Sequence, residues 1–250
     1  INCKLINRKN KDMYWRIVRI NGDGSIRLIY DGTSTHANGE VSEDRQIGES
    51  VYNETYDDNA YVGYMYGKAD SLTYEETHAN INDSTIKKYI DAWYEINIKN
   101  TIYEKYLADN IFCVSRSTSN NSSGIGQNNT YYNFNKLTDK TLKCNNKNDS
   151  FTVNDKIVGI NALKYPIGLL TYDESIFAGS ADSTNSDFYL FTGKWYWVIT
   201  PYSYSDKAYV RSVGAEGNGV HGGFVNYQYG KVKPVINLKP NSLKTGDGTI

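Results

Sequence analysis

The chain has 250 residues, and its 27 Lys and Arg against 28 Asp and Glu give a formal net charge of −1. Because no basic stripe accompanies this balance, a nucleic-acid-binding protein is excluded, and no apolar run is long enough to span a membrane. The chain contains 23 Tyr but 7 Phe; since a tyrosine ring with its hydroxyl tolerates a wet surface, we expect some of these tyrosines to form a contact surface.

The N-terminal part predicts a β-hairpin. Two extended runs, YWRIVRI and SIRLIYD, flank the turn NGDG, and apolar residues such as Trp15 and Ile17 alternate with Arg16, as in a strand with one buried face. Gly22 and Gly24 are expected to supply the positive φ angles of the turn. NGDG also resembles part of a calcium-binding loop, but the further ligands and the closing Glu of an EF-hand are missing. The hairpin is therefore preferred, and no metal ligand is assigned.

Helices are predicted between the terminal strands. The first begins at Asp83 or Ser84, both favourable N-cap residues, and carries an apolar stripe at helical spacing. The residues of that stripe are Ile86, Tyr89, Ile90, Trp93 and Tyr94. A second, short helix is expected to carry Ile102, Tyr103, Tyr106 and Leu107. A third begins with Thr171 and Glu174, which fit a capping box, and ends at Gly179. The segment 60–67, AYVGYMYG, is either a short strand or a tyrosine-rich loop.

The three cysteines, Cys3, Cys113 and Cys144, form no CxxC pair, so a zinc site is not expected. They are either three buried thiols or a disulfide between Cys113 and Cys144 with Cys3 left over. The disulfide is preferred, because the segment between them is rich in Ser, Asn and Gly and buries too little surface to hold itself. A disulfide that closes a loop of this size stabilises the fold by about 3–4 kcal/mol. Its presence would indicate an oxidising compartment.

The C-terminal part predicts strands again. Residues 195–200, WYWVIT, and 233–238, KPVINL, are typical of core strands, and the segment between them is crowded with Tyr, Ser, Asn and Gly. The chain therefore predicts an α+β fold, with strands at both ends, helices between them and a loop-rich insertion near 114–150. We expect one domain over residues 1–250.

The sequence lacks the motifs of common catalytic sites. His36, His78 and His221 occur in no HExxH motif, and neither a GxSxG elbow nor a GxxxxGK[ST] phosphate loop is present. Adjacent acids occur at 57–58 and 173–174, but a glycosidase needs two carboxylates that face each other across a cleft. The prediction is accordingly a protein that is not an enzyme and that uses no cofactor.

Several stretches resemble a widespread group of bacterial surface proteins. The resemblance is carried by the aromatic start FYLFTGKWYWVITP (188–201) and the close YGKVKPVINL (229–238), with WRIVRINGDGSIRLIYDGTS (15–34), LADNIFC (107–113), TLKC (141–144), YPIGLLTYDE (165–174) and GDGT (246–249). The group looks like the C-type-lectin-like fold, which is shared with formylglycine-generating enzymes and with the variable proteins of diversity-generating retroelements. The resemblance implies a lectin-like domain whose N- and C-terminal strands lie in one sheet.

Two departures from that fold's better-known members limit what the resemblance implies. Sugar-binding C-type lectins hold calcium with EPN or QPD and WND triplets, and this sequence has neither. Formylglycine-generating enzymes use a cysteine pair near the C-terminus, whereas no cysteine follows Cys144. Neither calcium-dependent sugar binding nor that catalysis is carried over.

The predicted function is extracellular or cell-surface binding, in a bacterium or phage, of a protein or glycan on another cell or surface, and not of nucleic acid. The segment 202–229 would be the display surface, since Tyr gives contact area at little entropic cost and Ser, Asn and Gly give adaptable hydrogen bonds. Its candidate ligand-binding residues are Tyr202, Tyr204, Asp206, Tyr209, Arg211, Asn218, His221, Phe224, Asn226, Tyr227 and Tyr229. In retroelement targets this region is diversified. The alternative to a display surface is a set of ordinary polar loops, in an organism whose AT-rich genome raises the content of Tyr, Asn, Lys and Ile.

A second class of function stays open, namely a structural subunit of a pilin-like filament or a phage tail component. The chain begins with Ile1 rather than Met, which indicates a mature fragment, and an upstream segment would attach it to a membrane or filament. A chain that polymerises buries an exposed tyrosine patch against its own copy, whereas a binding protein leaves the patch free. An enzyme, the third alternative, would need a deep pocket with convergent ionisable groups.

Overall fold

The computed structural model describes residues 2–119, 121–132, 140–181, 183–219 and 222–242. These residues form an α+β fold of antiparallel sheets with few helices. The strands are β1 Asn2–Ile6, β2 Asp12–Ile20, β3 Ile26–Gly32, β4 Met65–Tyr66, β5 Asn82–Asp83, β6 Phe112–Cys113, β7 Thr130–Tyr131, β8 Ser150–Phe151, β9 Ile167–Gly168, β10 Tyr196–Tyr204, β11 Ala208–Val213, β12 Gly222–Phe224 and β13 Val235–Leu238. The helices are α1 Tyr74–Thr77, α2 Thr85–Asn97 and α3 Tyr172–Phe177.

The first sheet has the strand order β1-β2-β3-β13-β9. Strand β13 pairs antiparallel with β3, placing Val235 opposite Ile29 and Ile236 opposite Leu28. All four of these side chains are buried. The prediction that the N- and C-terminal strands share one sheet is therefore confirmed, and burial of these β-branched and leucine side chains holds the two ends of the chain together.

The hairpin of β2 and β3 forms as predicted, but one of its glycines does not act as expected. Gly24 has φ +80°, whereas Gly22 does not adopt a positive φ. Asp23 accepts hydrogen bonds from the backbone N–H of Ser25 at 2.9 Å and from its hydroxyl at 2.6 Å. One left-handed residue and this side-chain turn close the hairpin, because an aspartate can satisfy the backbone two residues ahead.

The hairpin's alternation does not divide it into a buried and a solvated face. Arg16 is 2% exposed and Arg27 is 1% exposed, although both fall at positions that the pattern gives to the polar side. Arg16 pairs with Asp31 at 2.5 Å, and Arg27 pairs with Glu174 at 2.5 Å. The sheet is covered on both sides, and a buried cation persists there because a carboxylate compensates it.

The second sheet has the order β12-β11-β10-β7. Its long strand β10 buries Trp197, Val198 and Ile199 completely, in agreement with the prediction of a core strand at 195–200. That strand and the one predicted at 233–238 belong to different sheets. The polar segment between them therefore connects two sheets and includes β11 and β12.

Helix α2 forms as predicted. The hydroxyl of Ser84 accepts from the backbone N–H of Lys87, which makes Ser84 its N-cap, and Ile86, Ile90 and Tyr94 on the apolar stripe are fully buried. The short helix expected next is reduced to a 3-10 turn at Glu104–Tyr106. Leu107 is buried at the end of the turn, but Ile102, which was expected on the same buried face, is 71% exposed, so the apolar stripe is too short to anchor a longer helix.

The capping box of α3 is confirmed. The Thr171 hydroxyl accepts from the backbone N–H of Glu174, and the Glu174 carboxylate accepts from the backbone N–H of Thr171. Gly179 follows the helix with φ +110°, the left-handed conformation that commonly ends a helix. The helix is only six residues long, so these terminal contacts satisfy a large share of its free backbone groups.

Of the two alternatives predicted for the segment 60–67, the structure shows the short strand, preceded by a 3-10 turn that the sequence did not predict. A 3-10 helix, Asn59–Val62, is followed by strand β4, which pairs with β5. Tyr64 is fully buried and Tyr66 is half-buried. The tyrosines of this segment therefore pack inward instead of forming a surface loop.

The insertion near 114–150 is fastened at its base by the predicted disulfide. Cys113 and Cys144 are bonded, with their Cα atoms 5.5 Å apart, and Cys3 is a buried free thiol. Arg116 provides a second anchor, because its buried guanidinium pairs with Asp149 at 2.7 Å. Residues 120 and 133–139 of the insertion lie outside the described residues.

Candidate functional site

The exposed aromatic residues of the second sheet form a row across its strands. The registers place Phe224 of β12 opposite Tyr209 of β11, Tyr209 opposite Ser203 of β10, and Ser203 opposite Tyr131 of β7. Residues directly opposite each other project from the same face of a sheet. Tyr131 is 49% exposed, Phe224 is 37% exposed and Tyr209 is half-buried. Two tyrosines thus flank a small buried serine, with an exposed phenylalanine at the sheet edge.

The row continues into the loop after β12 through ring contacts. Tyr227 lies edge-on to Phe224, with ring centroids 5.6 Å apart, and edge-on to Tyr229 at 5.7 Å. The half-buried Trp195 supports Tyr227 from the other side at 5.3 Å. Edge-to-face pairs at these distances are favourable, so the rings hold one another in place. We call Tyr131, Tyr209, Phe224, Tyr227 and Tyr229 the aromatic face.

Two charged residues of opposite sign border the aromatic face. The Lys207 ammonium lies 5.2 Å from the centre of the Phe224 ring. The Asp206 carboxylate accepts a hydrogen bond from the Tyr209 hydroxyl at 3.3 Å, and burial together with the Asp206 charge raises the pKa of Tyr209. The pKa of Asp206 is lowered by hydrogen bonds to its carboxylate, of which the one from the Ser205 hydroxyl has the largest effect. Near neutral pH Tyr209 is therefore neutral and Asp206 is an anion.

Helix α3 covers the opposite end of the same sheet. The Arg211 guanidinium lies between two rings, 4.3 Å from the centre of Tyr172 and 4.5 Å from that of Tyr202. Arg211 is 6% exposed. Contact of one guanidinium with two aromatic rings is favourable through cation–π attraction, and it joins α3 to the sheet. Arg211, a candidate ligand residue, therefore lies beneath α3 and outside the aromatic face.

The other candidate residues divide between core and surface as strand alternation predicts. Tyr204 is 3% exposed and donates its hydroxyl to the backbone carbonyl of Asp57, so it belongs to the core. Tyr202, Asn218 and Asn226 are half-buried, and Asp206 is exposed. His221 lies outside the described residues.

Two residues of this surface were absent from the candidate set. Tyr131 comes from the insertion, more than 70 residues before Tyr209, and reaches the face because β7 pairs with β10. Trp195 was assigned to the core strand but precedes it and is half-buried. No local signal marks the pairing of a two-residue strand, since such a strand has no periodicity to read.

No family model matches the chain, and neither a curated protein nor a solved structure matches it. Among the described residues, no group of three or more His, Cys, Asp or Glu could hold a metal ion. Within the same part of the chain, no helix has the length and apolar character to cross a membrane.

Proposed function

We propose that the chain is a non-catalytic extracellular binding protein with a C-type-lectin-like fold, and that it presents the aromatic face to a protein or glycan ligand. The observation that carries the proposal is the run of ring contacts along this face: Tyr209, Phe224, Tyr227 and Tyr229 contact one another in sequence, and the last three are 37%, 37% and 63% exposed. Clustered exposed aromatics on a soluble domain mark interaction sites.

The composition of the face favours binding over catalysis. Its rings are joined by edge-to-face contacts and bordered by Asp206 and Lys207, whose charges are held by a tyrosine hydroxyl and by ring faces. Tyrosine surfaces of this kind supply rigid, amphipathic contact area, as in antibody paratopes. The Cys113–Cys144 disulfide supports an extracellular site, because disulfides persist in oxidising compartments.

The test is a double substitution, Tyr227→Ala with Tyr229→Ala. Both rings are exposed, so the free energy of unfolding should change by only about 0.5 kcal/mol per site. Binding to cells, or to an array of glycans and proteins, should weaken by about 2 kcal/mol for each hot-spot ring, or about 30-fold. Phe177→Ala is the matched control, since Phe177 is 58% exposed at the end of α3.

Three outcomes would contradict the proposal. A collapsed thermal melt with retained binding would make the two rings core residues and place the ligand site elsewhere. Equal loss of binding in the Phe177 control would show that the effect is not specific to the face. Concentration-dependent assembly of the wild type that the double substitution abolishes, without binding to any surface or array, would favour the filament subunit instead.

A further inference from the structure

A cleft lined by both polar and apolar side chains lies on the molecule apart from the aromatic face. It has a volume of about 720 Å³ and opens between the turn of the β2–β3 hairpin, the start of α3 and the segment 140–145. The Cys113–Cys144 disulfide forms part of its wall, and Arg19, Arg27 and Glu174 line it as well. A volume of this size is typical of sites for small ligands.

At the start of α3 the cleft holds a group of two guanidinium groups and one carboxylate, within a lining that carries four cationic and five acidic side chains in all. Glu174 is buried and pairs with two guanidinium groups at once, that of Arg27 at 2.5 Å and that of Arg19 at 2.9 Å. Burial opposes the ionisation of Glu174, but the charges of Arg27 and Arg19 outweigh it and lower the pKa of Glu174. One carboxylate therefore balances only one of two fixed cations, because an arginine stays protonated in proteins.

Of the two guanidinium groups that share Glu174, that of Arg19 is the one available to a ligand. Arg27 is buried, donates to the backbone carbonyl of Leu169 at 3.3 Å and stacks on the ring of Phe112. The Arg19 side chain is 26% exposed. It donates through Nε to Glu174, whereas its two terminal nitrogens make no hydrogen bond to any residue that the structure describes. These two donors form the planar fork that binds a carboxylate bidentately.

The acidic residues of the cleft are already engaged by the backbone. Asp23, Asp109, Asp155 and Asp173 each accept at least one backbone N–H, at 2.6 to 2.9 Å. Hydrogen bonds of this kind favour the ionised carboxylate without removing its charge, so an anion in the cleft has to bind close to Arg19, where two guanidinium groups share one carboxylate. The rest of the lining is rich in hydroxyl and amide groups, namely Asn21, Asn110, Ser115, Ser117, Thr141 and Asn145.

We propose that this cleft is a second ligand site, for a small hydroxylated carboxylate of the sugar-acid class. The ligand carboxylate binds the terminal nitrogens of Arg19 and completes a pairing of two carboxylates with two guanidinium groups. The hydroxyls of the ligand bond to the amide and hydroxyl side chains of the lining. This site does not depend on the aromatic face, and Tyr227→Ala with Tyr229→Ala should leave it unchanged.

The experiment is isothermal titration calorimetry of the wild-type protein with glucuronate, galacturonate and N-acetylneuraminate. Each acid is compared with its neutral methyl ester, and hexanoate serves as a carboxylate without hydroxyls. We expect saturable binding of at least one sugar acid, and binding at least tenfold weaker for its ester and for hexanoate, since charge-assisted bidentate bonds contribute at that level.

Two arginine variants locate the site. Arg19→Gln should weaken binding of the sugar acid at least tenfold, and Arg19→Lys should restore part of it. Arg8→Gln, which alters an exposed arginine that donates to the carbonyl of Glu95, should bind as the wild type does. The absence of saturable binding for all three acids would overturn the proposal, as would equal affinity for an acid and its ester. Hexanoate binding as tightly as the sugar acids would overturn the sugar-acid assignment. The ester comparison uses the wild type alone and therefore decides the matter even if Arg19→Gln does not fold.

Discussion

Replacing Lys233 by Met should remove most of the gain in stability that the wild type shows between pH 7 and pH 9. Lys233 is 2% exposed and donates to the backbone carbonyl of Arg45 at 2.6 Å. Burial above all, with the charges of Arg45 and Arg16, lowers the pKa of Lys233 to about 7 against the opposing charge of Asp31.

The sign of the effect follows from which state binds more protons. Unfolded lysine keeps its proton up to about pH 10.4, whereas folded Lys233 loses its proton near pH 7. Between these values the unfolded state binds more protons, so the free energy of unfolding rises with pH. For a folded pKa of about 7, this group alone contributes roughly 2 kcal/mol between pH 7 and pH 9.

The assay is urea unfolding of wild type and Lys233→Met at pH 7, 8 and 9. The buried thiol of Cys3, whose pKa burial raises, acts in the opposite direction near pH 9, but it is common to both proteins and cancels in their difference. Lys231→Met is the control, because Lys231 lies two residues away in an exposed ion pair with Glu49. Equal pH slopes in wild type and Lys233→Met would refute the reasoning, since they would mean that Lys233 stays charged in the folded protein.

Three further perturbations test how the fold is held. Replacing both cysteines of the disulfide by serine should lower the free energy of unfolding by about 3–4 kcal/mol, measured by guanidinium titration. A change below about 1 kcal/mol would show that the cross-link barely constrains the unfolded chain. Asp149→Asn leaves the Arg116 charge buried without its carboxylate and should cost about 3–5 kcal/mol of stability. Asp12→Asn, in an exposed pair with Lys4, should cost less than about 1 kcal/mol in the same thermal melt. Similar losses of stability for the two variants would contradict the view that burial makes the Arg116–Asp149 pair more important. Thr171→Ala removes the capping box of α3 and should cost about 1 kcal/mol, and an unchanged melting temperature would show that packing alone sets the start of this helix.

The sequence predicted the features that depend on neighbours in the chain. The Ser84 cap, the capping box at Thr171 and the hairpin turn with Gly24 each rest on contacts between residues only a few positions apart. Their side-chain and backbone requirements are local, so composition and spacing are enough to locate them. The disulfide joins residues 31 positions apart and was predicted on another ground, since the segment between Cys113 and Cys144 lacks the apolar residues needed to fold on its own.

The features that the sequence did not predict depend on pairings between distant segments. The sequence pattern placed Arg16 and Arg27 on the solvated side of a hairpin, whereas the carboxylates of Asp31 and Glu174 compensate their charges in the interior. Tyr131 joins the aromatic face through two residues of β7. No periodicity within a short window carries such information, because the partner lies many residues away.

The pairing of β3 with β13 also has a consequence for how the chain folds. Ile29 and Val235 are neighbours across the sheet although some 200 residues separate them in the chain. Contacts of such long range incur a large loop-closure entropy before they form, and this slows folding. During synthesis the β1-β2-β3 meander would expose the open edge of β3 until the last strand emerges, so we expect this edge to be the site where an incompletely made chain associates with other chains.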